Sequence, residues 1–113
     1  MIMDNCIFCK IIKKEIPSKK LYEDDEMIAF WDINPQAPHH FLVVPKKHVA
    51  SVAALEEADD KLAGKILRLG ARLAKENNVG DFRVVFNNGP LAGQEVFHMH
   101  MHILGGRRLG SFA

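Results

Sequence analysis

Residues 98–104 read His-Met-His-Met-His-Ile-Leu, and this strict alternation constrains the fold more than any other stretch of the chain. A period of two is that of a β-strand, whose successive side chains point to opposite faces. On a strand over 97–104, His98, His100 and His102 share one face, and Met99, Met101 and Ile103 share the other. The apolar face belongs on a core; the histidine face needs another explanation. One metal shared by all three rings is disfavoured. His98 and His102 lie about 13 Å apart along a strand rising roughly 3.3 Å per residue, whereas Zn–N bonds are near 2 Å. Nucleophilic catalysis on phosphorus fits better. Neutral imidazole is a good nucleophile near neutral pH, and a central ring has a neighbour on each side to bind or protonate oxygens. Asn87, Asn88, Gly89 and 93–96 lie just upstream, where backbone N–H groups form a nest for an anionic phosphate.

The remaining pattern completes an α+β domain. A short helix with apolar positions Ile7, Phe8, Ile11 and Ile12 is expected near the start, capped by Asp4 or Asn5 and ended by Pro17 and Ser18. Strands are expected over 21–23, 27–32, 41–45, 82–87 and 97–104, with an ordered loop over 33–40 containing two prolines. Leu55, Ala58, Leu62, Ile66, Leu69 and Leu73 step by three or four, which predicts one long amphipathic helix ending near Asn77. Gly64 and Gly70 each weaken it by about 1 kcal/mol unless close packing needs them. Strands that follow one another without regular helical crossovers imply an antiparallel sheet. A length of 113 residues suits a single domain over 1–113, able to bury about two-thirds of its unfolded surface.

Composition narrows the function classes. With 15 basic and 14 acidic residues the formal charge is +1, which gives no global attraction to nucleic acid or to an anionic membrane. No apolar run is long enough to cross a bilayer, and the start lacks the form of a signal peptide. Two cysteines, Cys6 and Cys9, are too few for a secreted disulfide framework, so a reducing cytoplasm is expected. As a C-x-x-C they are ambiguous by themselves: a redox pair, half a zinc site, or two buried small residues.

GQEVFHMHMHILGG resembles the signature of the histidine triad (HIT) superfamily, histidine-apolar-histidine-apolar-histidine-apolar-apolar. IFCKIIKKEIPS, AFWDINPQAPHHFLVVPKKH, FNNGPLAGQEVFH and LGGRRLG extend the resemblance over most of residues 7–110, toward the histidine triad nucleotide-binding proteins, the purine nucleoside phosphoramidase branch. It implies a five-stranded antiparallel sheet with two helices, continued across a homodimer. The implied activity is hydrolysis of purine nucleoside phosphoramidates or acyl-adenylates to the nucleoside monophosphate, AMP or GMP, through a nucleotidyl-histidine intermediate and without an organic cofactor. Cleavage of dinucleoside polyphosphates is the sister activity. A non-catalytic purine nucleotide-binding or interaction protein is a third reading, against which a nucleophile set between two histidines counts.

The resemblance also implies residue roles. His100 is the nucleophile, oriented by the carbonyl of His98; His102 contacts the phosphate or bridging oxygen; His40 is a fourth, supporting histidine. Asp32 holds the ribose hydroxyls, and Ile7, Phe8, Phe30 and Trp31 line the base pocket. Asn87, Gly93, Gln94, Glu95 and Val96 form the phosphate loop. Read without the family, Asp32 simply begins a turn, the aromatics are core, and His40 beside His39 is loop material. Glu95 stands where animal relatives have serine, and since a carboxylate repels phosphate it is expected to point away or to contribute only its backbone amide, with no chemical role. Some bacterial relatives with this C-x-x-C bind zinc, and the matching ligands here are Cys6, Cys9, His48 and His98. Four protein ligands make such a zinc structural.

Overall fold

The computed structural model describes residues 5–111. Helix α1 (Ile7–Ile12) precedes strands β1 (Lys20–Glu23), β2 (Met27–Trp31) and β3 (His39–Pro45). Helix α2 (Asp60–Glu76) leads into β4 (Phe82–Val85) and β5 (Met101–Gly105). The five strands form one sheet in the order β1-β2-β3-β5-β4, with every neighbouring pair antiparallel. This is the α+β architecture that the sequence pattern implies. Because α2 carries the chain past β3 to the far edge, β5 returns between β3 and β4 and becomes a central strand.

The central position of β2, β3 and β5 explains their composition. The sheet is covered on both faces, so β2 and β3 are apolar at nearly every residue and show little alternation. One face carries Met27, Ala29, Phe41, Val43, Met101 and Ile103 against Ile66, Leu69 and Leu73 of α2. The other carries Ile28, Phe30, Leu42 and Val44 against Phe8 and Cys9 of α1. Gly70 is the point of closest approach: a Cβ there would overlap the Met101 side chain. Gly64 meets nothing, so only one of the two glycines is explained by packing.

Several boundaries differ from the sequence expectation, each for a tertiary reason. The cap of α1 is Cys6, whose sulfur accepts the Cys9 N–H at 3.4 Å; of the two expected caps, Asn5 is not used and Asp4 lies outside the described residues. The helix stops at Ile12 and the chain turns through Lys14 at φ 65°, ahead of Pro17. Leu55 and Ala58 keep helical spacing but lie outside α2, at two short 3₁₀ turns (Val52–Ala54 and Glu57–Asp59). There the buried Asp59 carboxylate accepts the Glu56 N–H and pairs with Lys47, which holds the chain out of helix until Asp60. At the other end, β5 starts at Met101, not Phe97. The β3 ladder ends at the pair Val43–Met101, and the Met99 N–H donates instead to the Val49 carbonyl at 2.6 Å. Likewise β4 ends at Val85, and Phe86 and Asn87 belong to the loop. Among the described residues, no helix is long and apolar enough to cross a membrane.

Candidate active site and metal centre

The histidines keep their alternation although only His102 lies inside the β5 ladder. Met99, Met101 and Ile103 enter the α2-side core, and the three rings turn toward α1. They do not share one environment. His98 is fully buried, whereas His100 and His102 line a cleft of about 800 Å³ between α1, β2, the 33–40 loop and the 87–96 loop.

Hydrogen bonds fix the proton on each cleft imidazole. His100 Nδ1–H donates to the His98 carbonyl at 2.7 Å, so the lone pair of its ring sits on Nε2. Phe8 packs edge-on against this ring at 5.0 Å and holds its plane. The backbone N–H of Gln36 donates to His40 Nδ1 at 3.0 Å, which makes that nitrogen an acceptor. The neutral His40 ring therefore carries its proton on Nε2 and donates it to His102 Nδ1, 2.9 Å away. His102 is left with Nε2–H. Adjacent rings, with centroids 4.9 Å apart, thus carry opposite equipment: a bare Nε2 on His100 and a donor Nε2–H on His102.

Burial disfavours the charged form of each of these rings. Desolvation lowers the pKa of His102 to about 4, helped by the neighbouring His100 and His40 and opposed by Asp32. Desolvation also lowers His100 against the pull of the His98 carbonyl, and lowers His40 against Asp32. An unfolded chain protonates His102 near pH 6.5, whereas the folded chain does so only near pH 4. Unfolding therefore takes up protons between those values, and stability falls as the pH drops through that window. The urea midpoint at pH 5 is expected below that at pH 7.5; an equal or higher midpoint would contradict buried neutral rings.

Of the residues expected from sequence, Ile7, Phe8, Phe30, Trp31, Asp32, His40, Asn87, Gly93, Glu95, Val96, His100 and His102 all line this cleft. Asp32 is held by the Asn34 N–H at 2.8 Å and lies 3.5 Å from His40 Nε2. Two expected residues stand elsewhere. Gln94 is buried behind the loop: its oxygen accepts the Gly89 N–H, and its amide donates to the carbonyls of Ala50 and Val96. Its side chain shapes the loop and does not face the cleft. His98 lies beneath the floor. The sequence reading missed Ile11, Ile16 and Leu42, which complete the apolar wall, and Lys19, its cation. Ile11 was within reach, because it lies one helical turn from Ile7 and Phe8. A second cleft of about 720 Å³, lined by Arg83, Arg107 and Arg108, contains none of the expected residues.

Beneath the floor, His98 Nε2–H donates to the Pro45 carbonyl at 2.7 Å and aims Nδ1 at two thiols. Cys6 Sγ lies 3.3 Å and Cys9 Sγ 3.6 Å from that nitrogen, and His48 Nδ1 lies 3.4 Å from Cys9 Sγ. The four donor atoms all fall within 4.8 Å of one another. Zn–S bonds of about 2.3 Å and Zn–N bonds of about 2.05 Å put tetrahedral N···S edges near roughly 3.5 Å, so the donor set fits that ion. The Pro45 carbonyl is the outer partner that a metal-bound imidazole uses. Without a metal, burial pushes the Cys6 thiol up and holds His98 down to about 4. Asp32, His40 and His102 are also spaced closely enough to share an ion. The Gln36 amide argues against that use, since it occupies Nδ1 of His40 and leaves the proton on the nitrogen that would have to bind.

A five-stranded antiparallel sheet carrying a row of alternating imidazoles is the arrangement of a histidine-triad protein. Residues 5–112 match the family model described as scavenger mRNA decapping enzyme C-term binding. Protein HitA of Neisseria gonorrhoeae is 49% identical over 104 residues, covering 91% of this chain and 97% of that protein. A HIT family hydrolase from Legionella pneumophila superposes with a TM-score of 0.91 at 44% identity, covering 94% of this chain and 96% of that one. A histidine triad protein from Clostridium difficile superposes with a TM-score of 0.95 at 45% identity over the whole of both chains. The chain belongs to the HIT family.

Proposed function

We propose that the chain is a nucleotide-binding hydrolase that cleaves purine nucleoside phosphoramidates or acyl-adenylates through a covalent bond between His100 and phosphorus. The observation that carries this reading is the pair of opposed tautomers. The His98 carbonyl leaves His100 with a lone pair on Nε2, and the Gln36–His40 chain leaves His102 with Nε2–H. Both rings line the cleft.

In the first step the His100 Nε2 lone pair forms the bond to phosphorus. The P–N bond breaks and its electron pair stays on the amine, toward which His102 Nε2–H donates a hydrogen bond while solvent supplies the proton; an acyl leaving group departs as a carboxylate and needs none. The His100 ring becomes a cation as the bond forms, and His102 beside it stays neutral. In the second step water attacks phosphorus and the P–Nε2 pair returns to His100. One water proton is released to solvent, and the hydroxyl leaves on the nucleoside monophosphate. Asp32 is placed to accept ribose hydroxyls, the apolar wall to take the base, and the amides of the 87–96 loop to hold phosphate oxygens.

Cys6, Cys9, His48 and His98 would hold a structural zinc that ties α1 to the segment carrying His100. Free thiols in this chain suit a reducing cytoplasm. The exposed side chains of Phe82 and Val84 on edge strand β4, and of Leu67 on α2, support a homodimer with a sheet continued across it. The test is to incubate the protein with adenosine phosphoramidate, quench in base and map the adenylyl group by mass spectrometry. The expected site is His100. Turnover of the phosphoramidate with no adenylyl-protein would remove the covalent step, and turnover of a dinucleoside tetraphosphate alone would favour the sister activity.

A further inference from the structure

Two charged groups in the cleft have no role in the steps above, and one of them, Glu95, stands in the proposed phosphate loop. The side chains on the cleft wall that carry fixed charge are Lys19, Asp32 and Glu95. Asp32 is engaged by the Asn34 N–H and by His40. Glu95 is exposed and has no hydrogen-bond or ion-pair partner among the described residues. Its backbone is nevertheless well placed, because Gln94 beside it is buried and braced by three hydrogen bonds. A carboxylate standing free in a cleft shaped for a phosphate weakens binding of that phosphate unless the substrate brings a cation to meet it.

The surroundings say where that cation would lie. Glu95, Val96 and Ile7 line the catalytic cleft and also a neighbouring groove of about 420 Å³. Besides Glu95, the groove is walled by Ile7, Ala50, Val96 and Phe97, with Ile7 at 47% and Phe97 at 52% exposure, and by Asn5, Cys6 and His48. A groove with four apolar walls and one carboxylate at its junction suits a flexible aliphatic stem that ends in an ammonium, the arrangement in which such stems lie along apolar surface with the charge in water. A polyphosphate leaving group would meet the same carboxylate with its own negative charge.

We propose that Glu95 selects the leaving group: its carboxylate receives the cationic end of an aliphatic amine, so preferred substrates are nucleoside phosphoramidates whose amine carries a second, positively charged group. This rests on the phosphoramidase reading and narrows its substrate class. It also replaces the sequence expectation that Glu95 contributes only its amide.

The experiment compares kcat/KM for two AMP phosphoramidates, that of cadaverine, which ends in a free ammonium, and that of hexylamine, its uncharged isostere. Opposite charges at about 4 Å near a wet surface give roughly a five-fold preference for the cadaverine conjugate at low salt. That ratio should fall toward one at about 1 M salt, where the screening length is near 3 Å. It should also fall toward one in Glu95→Gln and invert in Glu95→Lys. A merely structural Glu95 would alter both substrates together and leave the ratio alone. A wild-type ratio at or below one, one insensitive to salt, or one that Glu95→Gln leaves intact overturns the inference, while turnover of both conjugates keeps the phosphoramidase reading standing. If neither conjugate reacts and a dinucleoside tetraphosphate does, the phosphoramidase reading itself falls and takes this inference with it.

Discussion

Replacing His100 with asparagine is expected to lower kcat by about 10³-fold or more while AMP binds within a few-fold of its original affinity. On the proposed reading the ring contributes little to holding a product nucleotide, which the apolar wall, Asp32 and the loop amides would grip, and contributes the atom that would form the new bond. Asparagine is a better probe than alanine, because His100 is nearly buried and packs edge-on against Phe8, so deep truncation would add a cavity penalty to the chemical one. Stopped assays of phosphoramidate turnover and calorimetric titration with AMP separate the two quantities. A variant that keeps its rate has no nucleophile at His100. A variant that loses binding and turnover equally has a collapsed site, and thermal melting would reveal it.

How far this arrangement was legible in the sequence depended on whether the cause was local. Alternation at residues 98–104 is a local period, and it survives in the structure even where the ladder does not, since Met99 and Met101 still enter the α2-side core. The start of β5 was not legible. It depends on the Met99 N–H finding the Val49 carbonyl, and a carbonyl 50 residues away leaves no mark on the sequence. The early start assigned to α2 failed for a similar reason. Leu55 and Ala58 have the right spacing, but the pairing of Asp59 with Lys47 and with the Glu56 N–H decides where the helix begins.

The site divides along the same line. Residue types announced the imidazoles and the C-x-x-C, while resemblance alone joined His48 and His98 to the two cysteines. Gln94 stays in the expected loop, but the use of its side chain was not legible: its amide is consumed by Ala50, Gly89 and Val96. The Gln36 contribution was illegible in principle. Every residue except proline has a backbone N–H, so the donor that sets the His40 tautomer, and through it that of His102, carries no sequence signal.

Cys9→Ser is expected to abolish metal binding and to lower Tm by roughly 15 °C, with a much smaller effect on turnover. Native mass spectrometry should find one zinc per wild-type chain and none in the variant. Cys9 is fully buried, and its sulfur reaches both His48 and His98, so a serine hydroxyl there leaves the tetrahedral set one soft ligand short. An ion present at 1,000 times its dissociation constant stabilises the folded state by about 4 kcal/mol, which sets the scale of the Tm shift for a domain of this size. A strong chelator should bring the wild type down to the variant's Tm. Turnover should fall by less than about ten-fold, because His98 keeps its bond to the Pro45 carbonyl and still offers its own carbonyl to His100. Metal-free protein purified without chelator would reject the site. Loss of turnover on chelation with Tm unchanged would assign the metal to the chemistry, contrary to a cluster of four protein donors that leaves no position open.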